Sequence, residues 1–152
     1  MIYTVILNSN SKVAGSTTTN AVYNYDWSYL PNDKKYTLRW TFVSNTTTQN
    51  AFPTIPTLSI ELGQTTVFAT ASSTTSTTSS IVGVMIPYTI GASSFLFADT
   101  ELNSPIYLHH KPTNNSFNVN ILNNSNPPTN WVDSATVAIT DYVLTLSFTE
   151  VM

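Results

Sequence analysis

Large side chains in this sequence recur at every second residue. In "YNYDWSYL" the aromatic residues Tyr23, Tyr25, Trp27 and Tyr29 do so, and in "YTLRWTFV" Tyr36, Leu38, Trp40 and Phe42. A period of two paints one face of a pleated strand, whereas a helix repeats its face after three and four residues. Further runs lie at 57–62, 65–69, 81–90, 94–98, 105–109 and 117–123, the last alternating Phe117, Val119 and Ile121 with Asn118, Asn120 and Leu122. The run "TVAITDYVLTLSF" carries Val137 and Ile139, then Tyr142, Leu144, Leu146 and Phe148. Its change of parity around Asp141 predicts a β-bulge, because one extra residue restores the stripe to its face. With the opening "IYTVIL" these make about ten strands, rich in Thr, Val, Ile, Tyr and Phe. No window of ten or more residues has helical spacing, so the chain is read as all-β.

Breakers separate the runs: "LPND" at 30–33, "FPTIP" at 52–56, "LGQ" at 62–64, "IGAS" at 90–93, "NSP" at 103–105 and "NNSNPPTN" at 123–130. Several exceed a hairpin turn, which suits strands that cross between two sheets. The expected architecture is one antiparallel β-sandwich over residues 1–152, with no internal boundary or fixed-period repeat. One stretch, "TASSTTSTTSS" at 70–80, has no large apolar side chain. It is read as a Ser/Thr surface loop, the alternative being a strand that lies against a neighbouring subunit, and "NSNSKVAGSTTTN" at 8–20 poses the same choice.

At 152 residues the chain is long enough to bury a sizeable core. It has no cysteine, which excludes disulfides, thiolate metal sites and thiol nucleophiles. Only 9% of residues are charged, against about 25% in ordinary soluble domains. Thr, Ser and Asn, about two residues in five, take over the wetting of the surface. Such a surface suits packing against like neighbours, where desolvating Lys or Glu is costly, and it equally suits a glycan-binding face. Lys12, Lys34, Lys35, Arg39 and Lys111 are scattered and the net charge is −3, so no basic footprint for nucleic acid exists. No segment approaches the roughly 20 apolar residues of a membrane span, and the apolar start is too short for a signal peptide. The sequons at Asn45, Asn114 and Asn123 carry little weight in a chain this rich in Asn, Ser and Thr.

His109 and His110 are the residues that most invite a chemical reading. Consecutive strand residues point to opposite faces, however, and the sequence supplies no third histidine. Asp99 and Glu101 have i, i+2 spacing in "FADTELN" and belong to a loop. There is no G-x-S-x-G elbow, no evident carboxylate pair and, with four glycines, no phosphate loop. The reading is a non-enzyme with no catalytic, metal or cofactor-binding residue. Trp27, Trp40 and the neighbouring tyrosines fit half of a sandwich core better than a sugar-stacking platform. Trp131, in "NPPTNW", either plugs one end of the barrel or reaches a partner.

The run "SSFLFADTELNSPIYLHHKPTNNSFNVNILNN", closing with "DYVLTLSFTEV", resembles small capsid-associated proteins of large double-stranded DNA viruses of algae and other protists, and of their virophages. The segments "LNSNSKVAGS", "VYNYDWSYLP" and "KYTLRWTFVS" extend the resemblance, and 64–80 lies outside it. The resemblance implies a single jelly roll in the virion capsid, either a penton or a minor protein tying capsomers together. It implies assembly inside the host cell, with partners that are other copies of the chain, as a homopentamer, and a major capsid protein. It gives Pro105, Tyr107, Leu108, Pro112, Asn114, Asn115, Phe117 and Val119 structural roles: Asn114 and Asn115 tolerate left-handed backbone in the connection, and Phe117 and Val119 point into the core. The rival expectation, from the residues alone, is a carbohydrate-binding or fibre-like adhesion module.

Overall fold

Most of the stripes become strands, and their inward residues meet in one cluster between two sheets. The computed structural model describes residues 1–46, 56–63, 69–71, 76–78, 81–85, 87–91, 94–98, 105–123, 129–131 and 138–152. In chain order the strands are β1 (Ile2–Asn8), β2 (Asn20–Asn24), β3 (Lys35–Thr46), β4 (Thr57–Ile60), β5 (Ala69–Ala71), β6 (Ser76–Thr78) and β7 (Ile81–Val84). After them come β8 (Pro87–Gly91), β9 (Ser94–Ala98), β10 (Ile106–Leu108), β11 (Ser116–Asn123), β12 (Thr129–Asn130) and β13 (Ile139–Val151).

A six-stranded antiparallel sheet, hereafter sheet I, runs β1-β13-β3-β9-β8, with β10 also paired to β3. Sheet II has five strands, β12-β11-β4-β7, with β2 also on β11. The pairing is nested along the chain. The first strand pairs with the last, β2 with β11, β3 with β9 and β10, and β4 with β7. Consecutive strands β1, β2, β3 and β4 thereby alternate between the sheets, which is what connections longer than hairpin turns predict.

The stripe in β3 turns Tyr36, Leu38, Trp40 and Phe42 inward, each at most 1% exposed. Beside it, β13 buries Tyr142, Leu144, Leu146 and Phe148, and across the gap β11 buries Phe117, Val119 and Ile121. Two hydrogen bonds stitch the sheets through this apolar layer. Tyr23 Oη on β2 donates to Tyr142 Oη on β13 at 2.9 Å, and the Trp40 indole N–H donates to the Val82 carbonyl on β7 at 3.2 Å. A buried hydroxyl or indole without a partner costs on the order of 1–3 kcal/mol, so these bonds remove the penalty for polar atoms in the core. The bulge predicted at Asp141 is present as a register shift between Ile139 and Asp141. Just past it the Tyr142 amide donates to Ser9 Oγ at 3.0 Å, which accounts for Ser9 being buried.

Several expectations need correction. The stripe "YNYDWSYL" is a strand only through Asn24: Asp26 accepts from the Ser28 amide at 2.9 Å and starts a 3-10 turn over Trp27–Tyr29. Side-chain capping by an Asp competes with the sheet ladder here and wins. The turn leaves Tyr29 75% exposed and Trp27 buried. The run 81–90 gives two strands, β7 and β8, in place of one. The segment read as a Ser/Thr loop over 70–80 contains β5 and β6, which pair antiparallel from Ala69↔Thr78 to Ala71↔Ser76. Threonine's β-branch favours extended backbone even where no large side chain anchors it. No described non-glycine residue has positive φ, so Asn114 and Asn115 do not use the left-handed region. Instead Gly63 does, at φ +76, packed against Thr113 and Asn114. Residues 65–68 of an expected strand, Asp99, Glu101 and Val137 lie outside the described residues.

Candidate functional site

The connection between β10 and β11 gathers most of the residues that drew notice in the sequence. The strand β10 ends at Leu108, so His109 and His110 occupy a bend and not a strand. The exposed His109 packs its ring edge-on to Tyr107, with centroids 5.2 Å apart. His110 Nδ1 lies 2.7 Å from the Lys111 carbonyl, a geometry in which Nδ1–H donates. Among the described residues no group of three His, Asp or Glu is placed to hold a metal ion.

What the connection does is lock onto the rest of the sandwich. Pro112 is buried, and the Thr113 amide donates to the Leu62 carbonyl at 3.3 Å. The Asn114 carbonyl accepts from the Trp27 indole at 2.8 Å, and the Asn115 carbonyl from the Tyr25 amide at 2.8 Å. Trp27 packs on Phe117 and Phe148 with centroids at 5.4 and 5.6 Å, so it joins the connection to both sheets. Trp27, Trp40 and Trp131 are 2, 1 and 4% exposed, which removes all three from a sugar-stacking platform and places them in the core.

Beside the connection an open cleft of about 380 Å³ is lined by Asn24, Tyr25, Asp26, Asn115 and Ser116. The Asp26 carboxyl is held below the usual carboxylate range, chiefly by the Ser28 backbone N–H, then by the Ser28 hydroxyl, with Lys111 adding attraction. It is a capping anion, already engaged by two donors from Ser28. The other perturbed groups are phenols. Burial pushes Tyr142 far above its ordinary value and raises Tyr23, and Tyr3 is raised by its hydrogen bond to Glu150. Tyr23 and Tyr142 are buried between the sheets, where their hydroxyls pair with each other.

The outward faces differ more than the clefts do. On sheet I the rows read Asn8–Val143–Val43, Ile6–Thr145–Thr41, Thr4–Ser147–Arg39 and Ile2–Thr149–Thr37–Tyr107. Ile2 and Ile6 are 66 and 67% exposed, and Val43, Val143 and Tyr107 are each exposed by more than a third. Arg39 is the one charge in those four rows. On sheet II the rows read Asn24–Ser116, Val22–Asn118, Asn20–Asn120–Ser59 and Asn130–Leu122–Thr57–Val84; amides and hydroxyls predominate, Val22, Leu122 and Val84 lie among them, and Ser59 is buried. Period-2 reasoning located the inward residues. It could not separate the two outward faces, because Thr and Asn alike read as polar. The comparisons with known proteins add no identity: no protein-family model, curated protein or solved structure matches this chain.

Proposed function

We propose that this chain is a non-enzymatic jelly-roll protein of a viral capsid, a penton or a minor protein, that assembles through symmetric contacts with its own copies and with a major capsid protein. The observation that carries the proposal is the nested pairing of strands. An eight-stranded ribbon wrapped into a jelly roll pairs its first strand with its last, its second with its seventh and so inward, with successive strands alternating between sheets. The ladders β1·β13, β2·β11, β3 with β9 and β10, and β4·β7 support that reading, and β8 adds a strand beyond β9. The outer face of sheet I supports the assembly half of the reading. Its central rows expose Ile2, Ile6, Val43, Val143 and Tyr107 and carry a single charge, Arg39, so a neighbour covering them removes apolar area and desolvates few charges. The resemblance in the sequence supplies the viral setting, and the location in the virion follows from it. Native mass measurement of the purified protein tests the proposal. A pentamer supports the penton role, a defined complex with a major capsid protein supports the minor role, and a strict monomer that never copurifies with particles refutes both.

One observation favours a second reading, a glycan-binding module. The cleft at Tyr25 sets one aromatic ring among Asn24, Asp26, Asn115 and Ser116, groups that suit a neutral sugar's faces and hydroxyls. A glycan array decides it: binding that Tyr25→Ala abolishes sustains this reading, and a blank array for the parent protein ends it.

A further inference from the structure

The sheet edges are treated unequally. On sheet II the edge of β2 is covered by the chain's own loop: the Val13 amide donates to the Val22 carbonyl at 2.8 Å and the Thr17 amide to the Asn20 carbonyl at 3.2 Å. On sheet I the far edge, β8, opens with Pro87 and carries a register irregularity between Thr89 and Gly91, both devices that blunt an edge. The near edge, β1, has neither. It pairs with β13 in unbroken register over all seven residues from Ile2↔Thr149 to Asn8↔Val143, and it contains no Pro, Gly or charged side chain.

The ladder identifies which backbone groups this edge leaves open. The Glu150 amide donates to the Met1 carbonyl at 3.1 Å, so Met1 faces β13 in a hydrogen-bonded pair. Such pairs alternate along an antiparallel ladder. Tyr3, Val5 and Leu7 therefore bond to β13, and the N–H and C=O groups of Ile2, Thr4 and Ile6 point outward from the sheet, with the Asn8 N–H; the Asn8 carbonyl caps the 3-10 turn Ser9–Ser11. Ile2 and Ile6 are about two-thirds exposed, and no described segment covers them.

From this edge we infer that two copies of the chain join β1 to β1 across a two-fold axis, fusing two six-stranded sheets into one. Of its self-complementary registers, the one centred on Val5 overlaps all seven residues of the strand. That register sets Ile2 opposite Asn8 of the second copy and Thr4 opposite Ile6: each Thr4–Ile6 pair takes two bonds and each Ile2–Asn8 pair one, from the Asn8 amide to the Ile2 carbonyl. Tyr3, Val5 and Leu7 then extend the inner face, and Ile2, Thr4, Ile6 and Asn8 continue the outer face. A slip of one residue sets open groups against groups already used by β13 and swaps the faces. No charge repels across the axis. The contact is two-fold and isologous, hence separate from a five-fold ring, and it stands whether or not the capsid reading does.

A single cysteine reads the contact directly, since the chain has none of its own. In the inferred register Val5 faces its own copy as a non-hydrogen-bonded pair, with Cα atoms about 4.5 Å apart, inside disulfide reach. Oxidised Val5→Cys should run as a covalent dimer on a non-reducing gel. Ile6→Cys, displaced by two residues from its copy and beyond about 7 Å, should stay uncrosslinked. Equal crosslinking of the two variants, or none, overturns the proposal. Should Val5→Cys misfold, Ile6→Lys serves: it should keep the urea midpoint of the parent and lose the two-fold step in native mass. A pentamer whose mass Ile6→Lys leaves unchanged overturns the β1 contact and leaves the capsid proposal standing, whereas a strict monomer overturns both.

Discussion

The two sheets share one core and present different outsides. Sheet I turns Ile2, Ile6, Val43, Val143 and Tyr107 outward among threonines, and its β1 edge is open. Sheet II turns out Asn20, Asn24, Asn118 and Ser116 with fewer apolar side chains, Val22 and Val84, and its β2 edge is closed by the loop before it. Amides and hydroxyls hold water, whereas Val and Ile release it at little cost. On that contrast the proposal places association on sheet I and solvent contact on sheet II. It also separates what maintains the sandwich from what a partner reads: the inward stripes are alike in both sheets, and only the outward ones diverge.

Substitutions can break that contrast in stages. The largest loss is expected where the sheets are shared. Trp27→Ala removes the ring wedged between Phe117 and Phe148 and should cost about 3–5 kcal/mol in urea unfolding, disabling both faces together. Next comes the Tyr23–Tyr142 bridge. Both phenols are raised in the folded protein, chiefly by burial, so above the ordinary phenol value near pH 10 the unfolded chain loses protons that the folded one keeps. Stability is therefore full below about pH 10 and should fall as pH rises past it, by up to about 1.4 kcal/mol per pH unit for each tyrosine. Chemical denaturation at a series of alkaline pH values measures the slope, and Tyr142→Phe should flatten it.

Gly63→Ala comes third, at about 1–3 kcal/mol, because a Cβ there adds a clash with Thr113 to the strain of φ +76. Gly15→Ala, at φ +88 with open space around it, should cost less. The smallest effects on folding sharpen the comparison most. Ile6→Lys on sheet I and Asn118→Lys on sheet II should each shift stability by no more than about 0.5 kcal/mol. Only Ile6→Lys should change native mass, and a change of mass from Asn118→Lys instead would invert the assignment of the two faces.

The core was legible because alternation is a direct record of burial in strands. Phe117, Val119 and Ile121 point inward as the spacing predicts, and the parity change at Asp141 marks a real bulge. Alternation misled at Tyr25, Trp27 and Tyr29, where one Asp side chain captured the Ser28 amide and bent the chain out of the ladder. It was also silent over 70–80, where strand pairing relies on backbone bonds that no apolar stripe announces. The histidines drew attention by rarity, and their bend anchors Pro112 and Asn114 beneath Trp27. The open edge of β1 was hidden for a different reason. A strand's sequence does not reveal which neighbours it will have, so an edge becomes visible only when the sheet order is known.

A density map of the purified particle tests the central claim most directly. The account predicts a sandwich of this chain at a vertex or between capsomers, with the outer face of sheet I against protein and the amide face of sheet II toward solvent. A particle that lacks the chain, or one that holds it with the outer face of sheet I bare, would contradict it.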